Sequence, residues 1–134
     1  MTGHSLGAAI ATHAVAYLID SKVNVQDFYS LGSPRVGDSN FSSWFSNFYG
    51  KGHFKARVTH HRDPVPHLPM ESMGFSHVST EIFYDGTLKQ GATICHDDSA
   101  EDNKCSDQYY ADLSVPDHLS YYDLDFAGTI LSCQ

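Results

Sequence analysis

The sequence is short of basic residues and has no long apolar run, and each shortage excludes something. With 8 Lys and Arg against 16 Asp and Glu, the formal charge is −8. That balance argues against nucleic acid and against anionic membrane surfaces as partners, since both are polyanions. A neutral or apolar ligand fits better. No apolar stretch approaches the roughly 20 residues a helix needs to cross a bilayer, so stable membrane insertion is not expected. Nor does a basic and then apolar leader open the chain. What is present suits one domain: 134 residues, 41% of them hydrophobic and 13% aromatic, are enough for a buried core.

The stretch that organises the rest is Thr2-Gly3-His4-Ser5-Leu6-Gly7. Gly-x-Ser-x-Gly is the pattern of a nucleophile elbow, a strand-to-helix turn so sharp that the serine is strained and its hydroxyl stands clear of the sheet. Glycines at Gly3 and Gly7 are expected because a side chain at either would strike the neighbouring strand or helix. The required helix follows: Leu6, Ala9, Ile10, His13, Ala14, Tyr17 and Leu18 recur at helical spacing, in a run from Ala8 to Lys22 without Gly or Pro. Ser5 would then lie at a helix N-terminus, with the Leu6 N–H aimed at a developing oxyanion. The plainer alternative is a serine that only caps a helix. The strand that should enter the elbow is reduced to Met1 and Thr2. The expectation is therefore the C-terminal part of a larger α/β domain, with its N-terminal strands missing.

Further along, Val23 to Leu31 reads as a strand and Gly32 to Asp38 as a turn-rich loop, and Asp38, Ser39 or Asn40 could cap an aromatic helix from Phe41 to Tyr49, ended by Gly50-Lys51-Gly52. Phe54 to Thr59 reads as the next strand, His60 to Pro69 as the loop at its C-terminal end, and His77 to Tyr84 as a third strand. A polar excursion spans Gln90 to Tyr110, and Val115 to Tyr122 precedes an apolar C-terminal segment. Strand and helix alternating over short connections predict a mainly parallel sheet with crossover helices.

Five stretches carry a resemblance. They are Thr2 to Gly7; Leu31-Gly32-Ser33-Pro34-Arg35-Val36-Gly37-Asp38; Asp63-Pro64-Val65-Pro66-His67-Leu68-Pro69; Phe75-Ser76-His77-Val78 with Glu81-Ile82-Phe83-Tyr84; and Asp117-His118-Leu119-Ser120-Tyr121-Tyr122. Together, and in this order, the chain resembles the class 3 lipases, the fungal-type triacylglycerol lipase family of α/β-hydrolases. Residues 1–134 would be the C-terminal portion of one such domain, lacking the family's N-terminal half with its lid and one side of the oxyanion hole. The resemblance implies a serine carboxylester hydrolase that acts on acylglycerols or related lipid esters at a lipid interface, with no cofactor and no metal. It further implies a secreted or endomembrane-lumenal location and a local disulfide between Cys95 and Cys105. Cys133 is then left for a partner outside the chain.

Ester hydrolysis of this kind needs a hydroxyl, a base and a carboxylate that orients the base, in the chain order Ser, acid, His. Ser5, Asp63 and His118 satisfy it. Asp63 sits just past a predicted strand, before Pro64; Asp38 reads better as a helix cap and Glu81 as a strand residue. Among nine histidines, His118 lies in a loop after the last strand, beside Asp117. His77, at the start of a strand and facing Glu81, reads as structural, and by resemblance His4 packs or bonds beneath Ser5. His60, His61 and His67 fall within eight residues, yet their spacing matches no helical ligand pair. A truncated, non-catalytic lipase-like fragment or paralogue is the competing reading.

Overall fold

The computed structural model describes residues 1–48, 54–95 and 100–132. Its centre is a five-stranded sheet formed by β1 (Thr2–His4), β2 (Asp27–Leu31), β3 (Phe54–His60), β4 (Glu81–Tyr84) and β5 (Thr93–Ile94), neighbours in that order. The first four run parallel, and β5 lies antiparallel to β4. α1 (Leu6–Asp20) connects β1 to β2 and α2 (Ser39–Phe48) connects β2 to β3. Beyond the sheet, α3 (Val115–His118) leads into a hairpin of β6 (Ser120–Tyr121) and β7 (Leu124–Asp125), closed by α4 (Phe126–Ser132).

Period-two alternation assigns the two sheet faces. One face joins Phe28 to Ala11, Val15, Ala16, Ile19, Phe45 and Val78, so α1 and α2 cover it together. The other gathers Ala56, Val58, Tyr84 and Tyr121, with Leu31, Ile82 and Phe126 against them. α1 does not bury the stripe its sequence spacing marks out. Leu6, Ile10 and Tyr17 are exposed, and the buried side is Ala8, Ala9, Ala11, Thr12, Val15, Ala16 and Ile19. Small residues face the sheet because helix and strand meet so closely at the elbow.

Other bounds also differ from expectation. β2 begins at Asp27 rather than Val23. α2 begins at Ser39; its cap is Asp38, whose Oδ1 accepts from the Phe41 N–H at 2.8 Å. Tyr49 and the expected Gly50-Lys51-Gly52 stop lie outside the described residues. The strand expected from His77 starts only at Glu81, because the preceding backbone is engaged elsewhere: the His77 N–H donates to Glu101, and the Ser79 N–H donates to Ser46 Oγ. The polar excursion contains β5 and a 3₁₀ turn at Ser106–Tyr109, and Cys95 and Cys105 within it form a disulfide. Among the described residues no helix is long and apolar enough to cross a membrane.

Candidate active site

The chain leaves β1 through Ser5, whose φ of 57° and ψ of −131° carry a non-glycine residue into positive φ. Its N–H donates to Leu31 O at 2.9 Å, and its carbonyl accepts from Ala8 and Ala9, so strand and helix fix it from both sides. A Cβ on Gly3 would lie 2.4 Å from the Gly7 carbonyl oxygen, which is why this turn requires glycine there. Gly7 is different. A Cβ there meets no described atom within 4 Å, so the collision expected from the pattern applies to Gly3 alone. Leu6 is the first helical residue, and its N–H has no acceptor within the helix and stands at the positive end of the dipole.

Ser5 Oγ lies 2.8 Å from His118 Nε2, and His118 Nδ1 lies 2.9 Å from Asp63 Oδ2. With Nδ1 donating to the carboxylate, Nε2 accepts from the serine hydroxyl, the tautomer a general base needs. Asp63 follows β3 at the C-terminal edge of the sheet, the edge at which Ser5 follows β1. His118 is the last residue of α3 rather than part of an open loop, since Pro116 in the first turn supports a short helix. The structure thus brings together all three residues selected from the sequence, with Leu6 beside them.

Several neighbours hold this arrangement and were not selected from the sequence. Asp63 is buried and accepts three hydrogen bonds: Val65 N–H to Oδ1 at 2.8 Å, and both His118 and the Tyr121 hydroxyl to Oδ2, the latter at 2.6 Å. Burial first, and then the Asp63 charge, push the Tyr121 hydroxyl well above the usual tyrosine range, so it stays a donor. Tyr121 is aimed by a two-residue hairpin turn in which Tyr122 and Asp123 both have positive φ. Gly32, at φ 52°, leaves room for the pair: a Cβ there would lie 2.7 Å from Asp63 Oδ2 and 2.8 Å from the Tyr121 oxygen. Asp117 clasps the loop of the acid to the helix of the base, accepting from Arg62 N–H at 3.3 Å and lying 3.0 Å from His61 Nδ1.

The remaining histidines have other positions. His4 donates from Nε2 to the His118 carbonyl at 2.8 Å, so it contacts His118 rather than lying beneath Ser5. His77 does not face Glu81; it is buried and donates to Pro66 O, while Glu81 pairs with Arg57 at 3.2 Å. Burial, and then the positive charges of Arg57 and Arg35, push His77 well below its ordinary value. His60, His61 and His67 diverge: His60 stacks on Tyr84 and bonds to Asp117 O, His61 faces Asp117, and His67 is buried against Tyr110. Among the described residues, the carboxylates Glu71, Glu101 and Asp107 cluster around the Arg35 guanidinium, which Glu101 grips through two bonds of 2.8 and 2.7 Å. That cluster already holds its cation.

A parallel sheet whose strand turns through a strained serine into a helix, with a carboxylate and an imidazole presented at the same edge, defines the α/β-hydrolase class. Comparison with known proteins narrows this. The family model described as Lipase (class 3) matches residues 1–73, and the chain belongs to that family. It is 45% identical over 86 residues to the secreted mono- and diacylglycerol lipase 1 of Fusarium solani, covering 64% of this chain and 25% of that protein. With the lipase of Rhizomucor miehei it shares 33% over 129 residues, 93% of this chain and 34% of the other. Among solved structures, lipase II from Rhizopus niveus superposes with a TM-score of 0.82 at 33% identity, over 92% of this chain and 46% of that one. A triacylglycerol lipase whose catalytic centre is described as a serine protease triad superposes at 0.79 and 32%, over 93% and 47%. The chain spans a quarter to a third of the length of these curated relatives.

Proposed function

We propose that the protein is a serine carboxylester hydrolase for acylglycerols or related lipid esters, with Ser5 as nucleophile, His118 as general base and then acid, Asp63 as the orienting carboxylate and the Leu6 N–H as one oxyanion donor. The observation that carries this is the continuous hydrogen-bond path from Ser5 Oγ through His118 to Asp63, starting at a strained helix N-terminus. Ser5 Oγ attacks the ester carbonyl while its proton passes to His118 Nε2, and the imidazolium is held against Asp63. The tetrahedral oxyanion collapses to an acyl-serine as the alkoxide leaves with that proton. Water, deprotonated by His118, then releases the fatty acid and restores the hydroxyl. An apolar acyl substrate is supported by the exposed Leu6, Leu68, Met70, Leu113 and Val115, which lie in the segments carrying Ser5, Asp63 and His118.

The Cys95–Cys105 bridge and the secreted relative support an extracellular or lumenal location. We read residues 1–134 as the C-terminal portion of a single hydrolase domain. Supporting that reading, the outer edge of β1 pairs with no strand among the described residues, and the aligned part of this chain covers only 25% and 34% of the two relatives. The test is turnover of p-nitrophenyl esters of graded chain length, on residues 1–134 and on a longer chain carrying them, each beside its Ser5→Ala variant. The longer chain hydrolyses them and loses at least about 10³-fold in turnover on substitution. Residues 1–134 alone, without the second oxyanion donor that this fold takes from an upstream loop, fall about 10²–10³-fold short. Undiminished hydrolysis by Ser5→Ala would refute the assignment.

A further inference from the structure

His4 stands one residue before the serine, at the end of β1, and contacts the base in two ways. Its Nε2 donates to the His118 carbonyl oxygen at 2.8 Å, and its ring stacks on the His118 imidazole with centroids 4.7 Å apart and planes 29° from parallel. Phe126 of α4 lies on it at 4.6 Å, and Tyr121 of β6 meets it edge-on at 5.4 Å. We propose that His4 is a positioning residue for His118, bracing the base from the strand that delivers the nucleophile. This rests on the catalytic reading of Ser5 and His118.

The chemistry of the contact specifies the state in which His4 works. A carbonyl oxygen can only accept, so His4 carries its proton on Nε2, and its Nδ1 is bare when the ring is neutral. A second proton would put a positive charge against the face of an imidazole that itself becomes cationic as Ser5 attacks. The groups that face His4 from neighbouring elements are His118, Tyr121 and Phe126, with Asp63 reached beyond them. The Tyr121 hydroxyl is spent on Asp63, and that carboxylate is already engaged by His118, so neither is free to pair directly with a charged His4. Burial, ahead of the other influences, pushes His4 below its ordinary value. Nucleophile and base are thereby set by consecutive residues: Ser5 supplies the hydroxyl, and His4 fixes both the backbone and the ring plane of its acceptor.

Two variants separate the two contacts. His4→Phe keeps a stacked ring without the donor, and His4→Gln keeps a side-chain N–H without the ring. Imidazole ¹⁵N NMR reads the tautomer and hydrogen bonds of His118 in the folded protein whether or not it turns over. In either variant the His118 ring signals move and broaden, because a ring held by only one of the two contacts samples more than one orientation. In a hydrolysing chain each variant lowers kcat by about tenfold, and up to about a hundredfold, while KM stays within twofold. In the unmodified protein the acid limb of kcat/KM steepens towards two protons at low pH; in His4→Phe it keeps a slope of one. If both variants leave the His118 ring signals unchanged and kcat within twofold of the parent, or if kcat falls only in step with the folded fraction, the proposal is wrong. Ser5→Ala, run alongside, tests the triad reading by itself.

Discussion

Tyr121→Phe removes one oxygen at the centre of the site and little else. The ring is fully buried between His60, Tyr84 and His4, so phenylalanine fills the same volume and leaves no cavity. What is lost is the 2.6 Å hydroxyl donor to Asp63 Oδ2. The carboxylate keeps Val65 N–H and His118 Nδ1–H but loses one of its three donors at a buried position. A hydrogen bond to a charged group contributes about 1.5–3 kcal/mol, and the loss here falls near the middle of that range because Asp63 is buried. For a domain of this size, about 2 kcal/mol lowers Tm by roughly 5–10 °C. Turnover falls less, by about tenfold or under, because Asp63 still orients the imidazole. The assay is urea unfolding of parent and variant, with m-values compared, alongside kcat in a hydrolysing chain. A control, Tyr84→Phe, removes an oxygen that accepts from the Tyr122 N–H and leaves the hydrogen bonds of Asp63 in place. Equal midpoints for Tyr121→Phe and the parent, or a larger loss in the control, would refute the reasoning.

Gly3→Ala should fail to yield folded protein, since its Cβ would meet backbone atoms at 2.4–2.8 Å that cannot move aside, whereas Gly7→Ala should fold normally; circular dichroism and yield distinguish them. Stability should fall on acidification. The neutral form of His77 is favoured in the fold, so below its ordinary value of 6.5 the unfolded chain binds more protons than the folded one. The contribution is whole above that pH and declines by up to about 1.4 kcal/mol per pH unit as pH falls towards the depressed folded value. Unfolding at pH 7.5 and 5.0 measures the loss, and His77→Gln should flatten it. Replacing Cys95 and Cys105 by serine opens a loop of 10 residues and should cost about 2–3 kcal/mol, read as a lower denaturation midpoint that dithiothreitol reproduces in the parent.

The elements whose signal is local were legible in the sequence. The elbow and its helix, the Asp38 cap and the parallel strand order follow from glycine placement, capping chemistry and alternation. The Ser, Asp, His assignment rests instead on the chain order of α/β-hydrolases and on the family resemblance. The buried face of α1 was not legible, because periodicity favours Leu6, Ile10 and Tyr17 while a close helix–strand approach favours alanine. The supports of the site were missed for a different reason. Gly32, Asp63 and Tyr121 touch across 89 residues of chain, and the turn that aims Tyr121 lacks the Asn-Gly signature of its type. A tyrosine three residues after a candidate base was the one available cue. The first half of the expected His77–Tyr84 strand was lost to side-chain partners from α2 and from the 100–106 segment, which no window of sequence reveals.

The backbone at Ser5 also bears on whether this chain is a relic. At φ 57° glycine is the residue of least cost and serine is not. Were the elbow only a connector, a drift to glycine would relieve strain on the order of 1–3 kcal/mol and strengthen the fold. Threonine is barred, since branching at Cβ makes such a φ a true outlier. The position therefore tolerates serine for its hydroxyl and in spite of its backbone. A purely architectural account of this turn would have to explain why the less stable residue is there.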